Sequence, residues 1–255
     1  MKYDIQIILF VVSLFINSSS VAQKQVDFSS EWAHSIEQYS GGVDALEELK
    51  GQDLSGFWLS GTQSQNGVYG DDFWRIEFYI SSIEQDKADH LTYRVKGKDR
   101  HKNVVTPFEG TIRITKAQRY STPHEMNDSV YPFHIIAVYE FTEDSTSKYS
   151  GVFNGTLRTD LIYRPSQPNK LLFDEEGDDG YMNNTFVGVW TSKNRKKKKC
   201  IWGLERLPFT EDWDEGAGEI YVNKKYVKNG WEGYMKHNEL TEKNGVIIQK
   251  DMWWK

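Results

Sequence analysis

The chain has 255 residues, a formal net charge of −6, 38% hydrophobic and 27% charged residues. That length can bury a sizeable core, and that balance excludes both a bundle of membrane helices and a disordered chain. The acidic surplus makes nucleic acid a poor partner.

The N-terminus predicts export, to the periplasm or the medium. Lys2 supplies a positive start, and Ile5 to Ile16 is apolar apart from Gln6 and Ser13. Ser20-Val21-Ala22 then places small residues where a signal peptidase reads. Cleavage after Ala22 is expected, with Gln23 first in the mature chain. The apolar run is shorter than the ~20 residues a bilayer span takes, so no membrane span is expected. Removing residues 1–22 takes out one Lys and one Asp, and the net charge stays at −6. Cys200 is the only cysteine, so stability has to come from the core rather than from an intramolecular disulfide.

Residues 23–53 form an N-terminal helical segment by pattern, with helix expected over 29–50. Trp32, Ile36 and Tyr39 recur at i, i+4 and i+7. Gly41-Gly42 breaks the run, and Asp44 can cap a second, short segment holding Leu46 and Leu49. From residue 54 a period of two takes over, punctuated by Gly, Asn, Asp and Ser. Trp74, Ile76, Phe78 and Ile80 share one strand face, with Phe73, Arg75, Glu77 and Tyr79 on the other. Over 108–115, Phe108, Ile112 and Ile114 face inward. Over 133–141, Phe133, Ile135, Ala137, Tyr139 and Phe141 share a face. Further strands are expected near 54–60, 91–96, 149–158, 160–164, 170–173, 185–191, 198–206, 219–222 and 245–249. Many short strands at such spacing predict an all-β, antiparallel up-and-down barrel over 54–206, with a β-sandwich as the alternative. Residues 207–255 carry an aromatic series (Trp213, Tyr221, Tyr226, Trp231, Tyr234, Trp253, Trp254) and are expected to pack on the barrel as a C-terminal extension.

One local pattern recurs, an apolar residue, Gly two positions on, and another apolar residue two further. It occurs at Leu54-x-Gly56-x-Trp58, Phe108-x-Gly110-x-Ile112, Phe153-x-Gly155-x-Leu157, Phe186-x-Gly188-x-Trp190 and Trp231-x-Gly233-x-Met235. A glycine inside a strand marks a bend or a close approach, which a small closed barrel needs.

Gly56-Phe57-Trp58, after a short helical stretch, resembles the G-x-W that opens the first strand of lipocalins and other calycins. Thr159-Asp160 is similar to the T-D pair of a second lipocalin block, although Leu161 stands where that block has Tyr. Arg206 is the candidate for the Arg of a third block. The glycine-bearing strands also look like avidin-type strands. This resemblance implies a calycin-like barrel in which Trp58 and Arg206 close one end structurally.

No nucleophile elbow, phosphate loop, H-E-x-x-H or dinucleotide fingerprint is present in the sequence, so no catalytic residue, metal ligand or cofactor is assigned. The acidic cluster from Asp174 to Gly180 could offer oxygens to Ca²⁺ but reads as a solvated loop. The basic run Arg195 to Lys199 falls where a hairpin tip is expected. Asp212, Asp214 and Glu215 flank Trp213, a residue type that stacks on sugars. The expected function is therefore binding rather than catalysis. An exported barrel would hold a small apolar or amphipathic ligand among Trp74, Phe78, Phe133, Tyr139, Trp190 and Trp202. The alternative is an exported carbohydrate-active protein on a β-sandwich, either a glycoside hydrolase or a sugar-binding module.

Overall fold

The structure is a computed structural model that describes residues 28–35, 41–125, 127–174, 183–204, 206–216, 220–237 and 252–255. The export signal, residues 175–180 of the acidic cluster, Glu205 and the strand expected at 245–249 lie outside these residues.

The chain is all-β and antiparallel. Its strands are β1 (Gly42–Asp44), β2 (Gln65–Tyr69), β3 (Trp74–Gln85), β4 (Thr92–His101) and β5 (Val104–Tyr120). They continue with β6 (Tyr131–Glu143), β7 (Gly151–Arg164), β8 (Gln167–Phe173), β9 (Thr185–Ser192) and β10 (Lys197–Gly203). The order β5-β4-β3-β2-β10-β9-β7-β6 is closed by a β5–β6 pairing. Every neighbour in that ring is antiparallel; β8 apart, neighbours are consecutive in the chain except for β2 and β10, the first and last strands of the ring, which is an up-and-down order. β7 is long enough to serve two partners: Gly151–Arg158 pairs with β9 and Leu161–Arg164 with β8. The strands are not spaced evenly about an axis. Among the described residues, no helix is long and apolar enough to cross a membrane.

The inner faces alternate as the pattern predicts. Ile76, Phe78, Ile80, Phe108, Ile112, Phe133, Ile135, Tyr139 and Phe141 join one buried cluster with Phe153, Leu157, Phe186 and Trp202. Strand-interior glycines let backbone and rings approach. A Cβ on Gly110, Gly155 or Gly188 would lie 1.9, 2.2 or 2.1 Å from a carbonyl oxygen of the neighbouring strand. The other two glycines of the recurrent pattern differ. Gly56 lies in the helical turn α2 (Ser55–Trp58) and Gly233 in helical residues 232–237, and a Cβ on either meets nothing within 4 Å.

The strand expected over 54–60 is therefore corrected to one helical turn. Asp53 Oδ1 accepts a hydrogen bond from Ser55 N at 2.9 Å, which starts the turn. The helical segment expected over 29–50 divides near Gly41-Gly42, as its pattern indicates, and its Ile36 and Tyr39 lie outside the described residues. Helix α1 spans Phe28–Ala33, β1 follows, and a 3-10 helix runs over Leu46–Gly51 behind the Asp44 side chain, which accepts from Leu46 N at 2.9 Å. The two strands expected at 149–158 and 160–164 are one continuous strand, β7. Of the strand expected at 219–222, residue 219 lies outside the described residues, and the described part forms an isolated bridge from Val222 to Asp214.

A second buried cluster lies outside the ring. Val68, Val187 and Ile201 from the outer strand faces, and Phe73 from the β2–β3 turn, meet Trp32, Leu207, Trp213, Val222 and Trp231. Here α1 is tied down by Trp32 Nε1 donating to Thr185 O at 3.2 Å, and Arg158 reaches Ser35 and Asp160 at 2.9 and 3.0 Å.

Candidate functional site

The two ends of the ring are built differently. At one end α2 turns Trp58 into the ring of strands, where it is 1% exposed. Its Nε1 donates to Thr159 Oγ1 at 2.9 Å, and that hydroxyl donates to Asn184 Oδ1 at 2.8 Å. Asn184 Nδ2 in turn donates to Phe57 O. Tyr93 packs edge-on against Trp58 at 4.9 Å and its hydroxyl accepts from Leu54 N at 3.2 Å. Every polar atom in this chain has a partner, and the end is plugged.

The middle of the ring is filled by rings. Trp202 stacks on Phe186 at 3.6 Å and on Phe78 at 4.2 Å, both nearly parallel. Of the six residues assigned from sequence to a ligand lining, Phe78, Phe133, Tyr139 and Trp202 are fully buried in this core, while Trp74 and Trp190 are partly buried. The six are not brought to one place: Phe133 pairs with Leu161 on the plugged side, whereas Trp74 and Trp190 stand at the opposite end.

That opposite end carries the tight turns between β2 and β3, β4 and β5, and β9 and β10, with the longer β6–β7 connection. Its rim is aromatic. Tyr69 lies 5.7 Å from Trp190 and 4.7 Å from His101, which lies 6.4 Å from Trp74. Two ammonium groups rest on this rim, Lys102 over Trp74 at 3.5 Å and Lys198 over Tyr69 at 4.9 Å.

Beneath the rim lie two carboxyl groups that sequence inspection did not single out. Asp99 follows Val95 and Gly97 on the inner face of β4 and is 2% exposed. Glu143 follows Tyr139 and Phe141 on the inner face of β6 and is 7% exposed. Glu143 Oε2 accepts from Gly151 N and from Trp190 Nε1, each at 2.6 Å. The two carboxyls are near enough for the charge of Glu143 to act on Asp99. Neither group has a cationic partner among the described residues.

Burial, and then the Glu143 charge, pushes the Asp99 carboxyl well above the usual carboxylate range. Burial raises Glu143 too, against the pull of the Trp190 and Gly151 bonds. The Cys200 thiol, buried on the inner face of β10, is pushed up by burial and then by both carboxylates. His101 is lowered by burial, so its imidazole is neutral at neutral pH. Asp99 Oδ2 has no hydrogen-bond partner among the described residues. With its proton affinity raised the further by Glu143, Asp99 is the carboxyl that holds a proton to higher pH. Deeper in the ring, Tyr139 OH and Trp202 Nε1 also lack a hydrogen bond.

Other sequence candidates are occupied structurally. Trp213 is fully buried against Trp231 at 4.8 Å. Asp212 is held by Lys225 and Tyr226, Asp214 by Arg206, and Glu215 by Asn223. Arg206 thus sits in an ion pair with Asp214 at 2.8 Å in the outer layer. The basic run does form a hairpin tip, with Arg195 at φ +60° and Lys197 opening β10. Cys200 and Trp202 share a buried face, but Leu204 lies past the strand end and is exposed. Asp174 is buried, and its carbonyl accepts from Asn183 at 2.6 Å. Outside the ring, a groove of about 600 Å³ runs beside Trp74 and Tyr234. Its floor is an ion pair set in which Glu77 takes both Arg75 and Arg100, at 2.9 and 2.6 Å. Among the described residues no three His, Cys, Asp or Glu side chains gather as a metal site.

In comparisons with known proteins, no family model, no curated protein and no solved structure matches this chain.

Proposed function

We propose that this chain is an exported, calycin-like barrel protein that binds a small amphipathic molecule at the rim end of its ring. The observation that carries this reading is the pair of buried carboxyls at one end of the ring. The rim end holds Asp99 and Glu143 without a counter-cation under an aromatic collar, whereas the Trp58 end is closed by the bonds from Trp58 through Thr159 to Asn184. Burying carboxyls without a cationic partner is costly, so their retention at one end favours a role there over a purely packed core. The stacked rings in the middle leave the rim end as the place for a ligand, and the carboxyls require a polar group on it. The calycin reading is supported by the up-and-down ring and by the bond from Trp58 of the G-x-W to Thr159 of the T-D pair. Export is supported by the three-part pattern of residues 1–22.

The test is a titration of the mature protein with fatty acids, retinoids and aromatic amphiphiles, followed through tryptophan emission. A saturable change at micromolar level, about −8 kcal/mol of binding free energy, is expected for at least one amphiphile. The change should be lost in Trp190→Phe, whose indole donates to Glu143. A saturable response to oligosaccharides alone would transfer the assignment to the carbohydrate-active alternative.

A further inference from the structure

The surfaces of the two ring ends differ in charge. At the rim end the segments 70–73, 102–103, 144–150 and 193–198 carry seven exposed cations, Lys102, Lys148, Lys193 and the run Arg195 to Lys198, against Asp71, Asp72 and Asp144. At the Trp58 end the segments 44–53, 86–91 and 121–130 carry eight carboxylates against Lys50 and Lys87. A chain of net charge −6 thus gathers cations at one end of its ring. Among the described residues none of the seven forms an ion pair. Lys102, Lys198 and Lys148 lie over the rings of Trp74, Tyr69 and Tyr149, at 3.5, 4.9 and 5.3 Å. Apolar side chains are exposed beside them. Tyr149 is 68% exposed, and Val104 and Val105, which open β5, are 49% and 40% exposed. Two bonds gather these groups on one face. Asp144 N donates to Pro107 O at 2.8 Å, which lays the β6–β7 connection along the start of β5. Lys193 Nζ donates to Ser145 O at 2.7 Å, which ties that connection to the β9–β10 tip. Val43, exposed at the Trp58 end, stands instead beside Asp44.

We propose that the rim end docks on an anionic lipid bilayer, with the β4–β5, β6–β7 and β9–β10 tips against the headgroups. This inference is independent of the small-molecule reading. An anionic bilayer strengthens binding by about fivefold for each Lys or Arg held near its surface. The attraction fades within a screening length of about 8–10 Å, so the cations act together only when they share a face. Tips at one end of a ring of strands meet that condition. Tyr149 presents a ring to the acyl boundary and a hydroxyl to the headgroups, and Val104 and Val105 add apolar area beside it. A soluble polyanion would engage the cations and leave these three side chains in water. A bilayer engages both sets, and the juxtaposition of the two favours it. The acidic Trp58 end is repelled by the same surface, so the molecule stands with that end outward.

Co-sedimentation of the mature chain with vesicles tests this, since that chain lacks the apolar run Ile5 to Ile16. Vesicles of equal parts phosphatidylglycerol and phosphatidylcholine should carry the protein down, and vesicles of phosphatidylcholine alone should not. Raising salt from about 0.1 M to about 1 M shortens the screening length from about 10 to about 3 Å and should release it. The double variant Lys196→Gln/Lys197→Gln should weaken binding by about fivefold for each charge removed. The control Lys50→Gln/Lys87→Gln, at the Trp58 end, should leave binding unchanged. Tyr149→Ser, a second and independent variant, should weaken binding to the anionic vesicles while keeping the release by salt. No binding to anionic vesicles, equal binding to both kinds, or equal loss in the two lysine pairs overturns the docking. Retention on heparin without vesicle binding also overturns it, and transfers the basic tips to an anionic polysaccharide. The amphiphile titration uses no vesicles, so either reading can fail alone.

Discussion

The two ends of the ring make a natural controlled comparison. Both bury polar side chains among aromatic rings. At the Trp58 end the polar atoms form a closed relay, Trp58 to Thr159 to Asn184 to Phe57 O. At the rim end Glu143 is bonded twice, yet Asp99 Oδ2 has no donor and no cation sits on either carboxyl. The first arrangement is what a core does when only stability matters, since buried polar groups are ordinarily satisfied. The second keeps two buried carboxyls with raised proton affinity and no cation, at a cost in stability.

The largest effect that sharpens this contrast is at the plug. Trp58→Ala should destabilise by ~3–5 kcal/mol, the range for large aromatic truncations in a core. Chemical denaturation measures it, and a loss near zero would remove the plug from the account. Next is the glycine that lets β7 and β9 approach. Gly188→Ala puts a Cβ 2.1 Å from Asn154 O and 2.7 Å from the Tyr139 hydroxyl, and should cost about 1–3 kcal/mol through overpacking. If the thermal midpoint does not move, the close strand approach there is wrong.

The acid pair makes a prediction of opposite sign. The Asp99 and Glu143 carboxyls are raised, so the stability they contribute is present below the ordinary carboxylate range near pH ~4 and is lost as pH rises through the raised values. Asp99→Asn cannot ionise. It should therefore flatten that dependence and exceed the parent at neutral pH by on the order of 1 kcal/mol, since a tenfold change in proton affinity is worth ~1.4 kcal/mol. Urea unfolding of both proteins from pH 4 to 8 decides it; a variant less stable than the parent at every pH would mean the pair is a structural bond. The smallest effect concerns Cys200. Its raised thiol and full burial should make modification by a thiol reagent slower than for a free cysteine by roughly tenfold or more. Fast modification in the native protein would show that the rim end opens far more than its packing implies.

Much of the ring was legible because inner-face alternation is a direct consequence of strand geometry. Trp74 to Ile80 and Phe133 to Phe141 fall on the faces assigned to them. Two failures have one cause. Leu54 and Trp58, and Trp231 and Met235, are four residues apart, a spacing that fits a strand face and a helical turn equally. Only the side-chain bond from Asp53, and Met235 N returning to Trp231 O, decide for the turn. β2 was overlooked because Gln65, Asn66 and Gly67 carry no apolar alternation; Gly67 is required by the Trp202 Cβ, 2.6 Å from where its own would stand. The acid pair was missed at strand ends. Asp99 continues the phase of Tyr93, Val95 and Gly97, and Glu143 that of Tyr139 and Phe141. Ending those strands at 96 and 141 discarded the signal, a carboxylate in the buried phase of a strand. Their proximity could not be read at all, since it depends on the β5 strand that joins β4 to β6 around the ring.

The central claim is that the rim end buries two carboxyls of which Asp99 holds its proton far above the ordinary carboxylate range. Carbon-detected NMR of the Asp and Glu carboxyl groups across pH 3 to 9, with Asp99→Asn and Glu143→Gln for assignment, tests it most directly. The Asp99 resonance should keep a protonated shift well above pH ~4. Two carboxyls that both ionise near pH ~4, the ordinary carboxylate value, would contradict the account.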